Sequence, residues 1–87
     1  MTTTNVVVTT AYTQLAAANV SAAIQATEAS GGTIEFAVFT AGAPNSAITG
    51  HTLNAGESAT IMVATGEQVY ARSLVTDALV VVSTIPT

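Results

Sequence analysis

The chain has 87 residues, one Arg, no Lys, no Cys and five carboxylates, so it carries a net charge of −4 with 49% hydrophobic and only 7% charged residues. An acidic chain with a single cation cannot neutralise a run of phosphates, which excludes electrostatic binding to nucleic acid or to an anionic membrane surface. No apolar run approaches the ~18 residues of a membrane-spanning helix, and catalysis and metal capture are left with few of the ionisable groups they draw on.

A chain of this length holds one domain, residues 1–87, with one small core. Neither a disulfide nor a metal staple supplements that core, so burial against further copies of the chain is the expected source of extra stability. Met1–Asn5 has no basic or apolar leader character, so no signal peptide is expected and the chain is expected to accumulate in the cytoplasm where it is made. The first ten residues are expected to form an extended N-terminal arm. If that arm makes the outward contacts, removing Met1–Asn5 should weaken attachment while leaving the fold intact.

Apolar residues alternate with polar ones along most of the chain. Asn5–Thr9 and Tyr12–Ala17 carry Val6, Val8 and Leu15 at strand spacing, with Thr9–Ala11 as a kink between them. Val20, Ala22, Ile24 and Ala26 alternate with Ser21, Ala23 and Gln25. The Ala content of 14–26 is compatible with a helix, but the period of two and the β-branched residues favour a strand. Ser30-Gly31-Gly32 interrupts the chain before Thr33–Phe39, where Ile34, Phe36 and Val38 alternate with Glu35, Ala37 and Phe39.

Thr40–Gly50 contains Pro44 and reads as a loop. His51–Leu53, the turn Asn54–Glu57, a strand Ser58–Val63 and the turn Thr65–Glu67 follow. Gln68–Ser73 sets Val69 and Ala71 against Tyr70 and Arg72, and Leu79–Ile85 is apolar on both faces, so it is central in its sheet or covered by a partner. Seven or eight short strands cut by Gly and Pro turns define an all-β chain, a small β-sandwich or jelly-roll-like domain.

Candidate chemistry is sparse. His51 is the one side chain with a near-neutral ordinary pKa, and Ser46 or Ser58 would have to lie beside it for nucleophilic catalysis. A loop histidine packed on a turn is the simpler reading, and no enzyme activity or cofactor is expected. Glu57 and Glu67 are the carboxylates available to a weak calcium site at a subunit axis, but no ligand cluster has a recognised metal spacing, so no metal site is expected either. Arg72, the lone cation, pairs with a carboxylate such as Glu35, on an adjacent strand or on the next subunit, either as an interfacial pair or as an ordinary surface one. Tyr12, Phe39 and Tyr70 are interface anchors, a platform for a sugar ring, or core or rim packing. With Val6, Val8, Val80 and Val82 they complete the set of candidate contact residues.

The order of Ile34–Val38, Pro44, Gly50–Glu57, Val63–Ser73 and Leu79–Val82 resembles that of small virion accessory proteins of tailed bacteriophages. Val69-Tyr70-Ala71-Arg72-Ser73 is the most distinctive part of the match, and the first third of the chain fits only as generic strands. The resemblance implies a β-sandwich on the phage particle, typically a homotrimer. Such a protein is a head decoration (cement) protein bound to the major capsid protein, or an accessory module of a fibre, tail or baseplate that binds another virion protein or a host glycan.

Overall fold

A computed structural model describes residues 2–27, 33–40, 50–54, 56–74 and 77–86. They form eight strands: β1 (Thr2–Val8), β2 (Thr13–Ala16), β3 (Val20–Ala26), β4 (Ile34–Thr40), β5 (His51–Leu53), β6 (Ser58–Val63), β7 (Glu67–Ser73) and β8 (Ala78–Pro86). Two four-stranded sheets result, in the orders β1-β8-β3-β6 and β2-β7-β4-β5, and every pairing is antiparallel. The chain is therefore an all-β sandwich.

Its pairing is palindromic. β1 pairs with β8, β2 with β7, β3 with β6 and β4 with β5. The chain is thus one long two-stranded ribbon, with the β4·β5 pair at its bend and β1·β8 at its open end. Rolling that ribbon lays β3 against β8 and β4 against β7, and these two ladders close the two sheets. Successive strands then alternate between sheets everywhere except at the β4–β5 bend. This is the strand order of a jelly roll.

The alternation of each strand sends one set of side chains between the sheets. Val8, Ala22, Ile24, Ala26, Val63, Val80 and Val82 meet Ile34, Phe36, Leu53, Val69 and Ala71 in one buried cluster. Several of these residues are alanines, which suits a molecule only 16 Å through its shortest axis. The cluster corrects three contact candidates. Val8 and Val80 are wholly buried and Val82 is 3% exposed, so they hold the two sheets together and no partner reaches them. Val6 is half-buried and packs against the same cluster.

β8 is central, flanked by β1 and β3, the first of the two positions expected for a strand apolar on both faces. The N-terminal segment is not a free arm. All seven residues of β1 pair with β8, from Thr2 opposite Thr84 to Val8 opposite Ala78, because Val6 and Val8 complete the core beside Val80 and Ala78.

Two turns share one construction. In Asn54–Glu57 and Ala64–Glu67 the Glu N–H donates to the carbonyl three residues earlier, at 3.0 and 3.1 Å. Gly56 and Gly66 supply the positive φ, 86° and 81°. The Glu carboxylate then folds back to accept the first residue's N–H, at 2.7 Å from Asn54 and 3.0 Å from Ala64. Asn19, also at positive φ, donates its N–H to the Val63 carbonyl and accepts from the Thr65 hydroxyl, which joins the β2–β3 turn to the β6–β7 turn.

Candidate functional site

The two sheets present very different outer faces. On the β2 sheet, Glu35 and Arg72 face each other across β4 and β7, and Arg72 Nε donates to Glu35 Oε1 at 2.7 Å. Glu35 is only 5% exposed, so its partner comes from an adjacent strand of the same chain. The register places Tyr12 next to Arg72 on the other side, one residue before the Thr13·Ala71 pair, and the guanidinium lies 4.4 Å from the centre of its ring.

Phe39 leans back along β4 to sit between the two tyrosines. Its ring meets Tyr12 edge-on at 5.2 Å and Tyr70 edge-on at 5.6 Å, and Ala37 lies buried in the same outward row. The Tyr70 hydroxyl stands 3.5 Å from Gln14 Oε1. Sequence reasoning paired Arg72 with Glu35 and grouped the three rings apart from them, and the fold brings all five together as a second small core outside the sandwich. Edge-on ring pairs stabilise by about 0.5–1.5 kcal/mol each beyond area burial, and an Arg over a ring by about 0.5–2 kcal/mol. The cluster braces the sheet more than it offers a surface, since Phe39 is buried and one face of Tyr12 is taken by Arg72.

The outer face of the β1 sheet is the reverse. Its rows, read across β1, β8, β3 and β6, are Thr3·Ser83·Ala23·Thr60 and Asn5·Val81·Gln25·Ser58, flanked by Val7·Leu79 at one end and Ile85·Ser21·Met62 at the other. No residue in these rows is charged. Val7, Met62 and Ile85, three of the five exposed large hydrophobics among the described residues, all lie here, at 58%, 75% and 47% exposure. Thr3 and Ser83 hydrogen-bond to each other at 2.8 Å. Such a face has no ions to desolvate, so covering it avoids the largest cost of shedding water. Sequence reasoning missed this surface as a unit, since it is assembled from four segments whose adjacency depends on strand order.

The remaining candidates separate. His51 opens β5, exposed, with its ring tilted against Phe36 at 5.4 Å. Ser58 begins β6 in the opposite sheet, and Ser46, with most of the Thr40–Gly50 loop, lies outside the described residues. Glu57 and Glu67 are each committed to their own turn, and no group of three His, Cys, Asp or Glu suited to a metal ion occurs among the described residues. No protein-family model matches the chain, and neither the curated proteins nor the solved structures contain a match.

Proposed function

We propose that this chain is a structural protein of a bacteriophage virion, a head decoration protein that strengthens the shell by covering neighbouring capsid subunits. One observation carries the reading: a complete four-stranded sheet face without a charge, bearing Val7, Met62 and Ile85. Val7 at one end of that face and Met62 and Ile85 at the other leave large apolar side chains in solvent that a protein partner would cover. A face of uncharged side chains suits permanent burial, and covering a standard interface of about 800 Å² per partner adds stability that a thin shell lacks. The jelly roll also occurs in lectins, so fold alone does not decide the role. Glycan recognition through Tyr12 or Tyr70 calls for open ring faces, whereas Arg72 covers one face of Tyr12 and Phe39 packs against both tyrosines.

The test is the absolute mass of the purified chain by light scattering behind a sizing column, alone and with stripped heads of the phage that encodes it. Co-elution with the heads, together with a rise in their disruption temperature, is the expected result. A folded chain that never co-elutes overturns the head role and leaves a fibre, tail or baseplate location in front.

A further inference from the structure

We infer that β1 pairs with β1 of a second copy of this chain, in antiparallel register about a two-fold axis at Asn5, and joins the two β1-β8-β3-β6 sheets into one eight-stranded sheet. The four sheet edges are not alike. A strand edge carries a row of unpaired N–H and C=O groups, and folds that must stay apart blunt it with short strands, bulges, Pro or charge. The β2 sheet follows that rule: β5 has three residues, and β2 has four with a register shift between Gln14 and Ala16. The β1 sheet does not. β1 runs seven residues in unbroken register, without charge or Pro, and five of the seven are exposed.

The choice between the two open edges rests on charge and closure. β6 lies between Glu57 and Glu67, the acids of its two flanking turns, so a β6·β6 pair would draw carboxylates together. No acid occurs in the first 27 residues. Asp77, which precedes the partner of Val8, falls at opposite ends of a β1·β1 pair, separated by the strand length of about 23 Å. A β1·β6 pair is heterologous and propagates, whereas β1·β1 is self-complementary and closes. Full overlap of Thr2–Val8 sets Asn5 opposite Asn5, Thr4 opposite Val6 and Thr3 opposite Val7. Main-chain hydrogen bonds supply most of the affinity in strand addition. The pair also brings the two charge-free faces side by side in one surface. A two-fold unit differs from the threefold one that the bacteriophage resemblance implies, and it depends on the chain alone, not on the shell reading.

The experiment is sedimentation of the full chain across a concentration series, with Asn5→Lys and Asn5→Asp. Wild type is expected to move from monomer to dimer. Each variant alone places like charges directly opposite and should dimerise about twofold to fivefold more weakly, while an equimolar mixture of the two regains the dimer by opposing unlike charges. Asn5 is exposed, so both variants keep the fold, which circular dichroism checks. A wild type that stays monomeric, a trimer, a dimer that Asn5→Lys leaves intact, or a mixture that fails to re-form dimers overturns the proposal. None of these outcomes involves a capsid, so each is separate from failure of the decoration role.

Discussion

Of the chain's few charges, the one that matters most to the fold is Arg72. Its guanidinium serves Glu35 and the Tyr12 ring at once, and Glu35 is nearly out of solvent. Removing one member of a buried pair leaves an uncompensated charge, which costs far more than the pair contributes. Arg72→Ala is therefore expected to lower stability by about 3 kcal/mol, or about 12–24 °C in melting temperature. Adding Glu35→Gln should restore at least about 1 kcal/mol through their coupling. Thermal melts of the two singles and the double measure this, and a coupling near zero would refute the pair's role. Two glycines separate by mechanism. A Cβ at Gly50 would overlap the Phe36 carbonyl, 2.8 Å from its carbon, whereas one at Gly66 meets nothing but sits at φ 81°. Gly50→Ala is expected to cost more than about 2 kcal/mol, in the manner of an overpacked site. Gly66→Ala should cost about 1 kcal/mol through backbone strain, and Asn, which tolerates that conformation, should recover part of it. Denaturant titration of the three variants separates clash from strain.

At the scale of elements, the strands were legible because the period of two is strong where one face is polar, as in Val20–Ala26. It fails where both faces are apolar. Val6-Val7-Val8 and Leu79–Val82 show a strand but not which side faces inward, which is why Val8, Val80 and Val82 were candidates for contact while Val7, the exposed one, was not. The palindromic pairing was illegible for a different reason: strand order is set by long-range packing, and turn residues specify only local reversals. The two Gly-Glu turns were visible as turns, but the fold-back of each carboxylate was not, although the shared Gly-Glu spacing is its signal. β1 shows what these gaps change. Removing residues 1–5 takes away four of its seven rungs on β8. At about 0.2–1 kcal/mol for each cross-strand pair, the truncated chain should lose about 1–4 kcal/mol in a melt. A melting temperature equal to that of the full chain would restore the view of this segment as a dispensable arm.

On the scale of the whole molecule, the proposed function divides the two outer faces between stability and recognition. The β2 sheet covers itself: its rings, its only cation and its buried carboxylate satisfy one another, so changes there should register in the melting temperature. The β1 sheet leaves Val7, Met62 and Ile85 to the solvent and contains no charge whose desolvation would oppose contact. Changes there should leave the isolated chain almost untouched, because surface substitutions away from caps, clusters and strain usually fall within about 0.5 kcal/mol. Met62→Lys is the sharpest case, since Met62 is the most exposed of the large hydrophobics and lies on β6, away from the β1 edge. It is expected to keep the wild-type melting temperature and the β1-edge dimer while losing most capture by stripped phage heads, as a buried unpaired ammonium would require. Pelleting the heads with labelled chain measures that loss. Capture equal to wild type would show that the charge-free face is not the one that meets the shell, and a fall in melting temperature alone would assign Met62 to the fold instead.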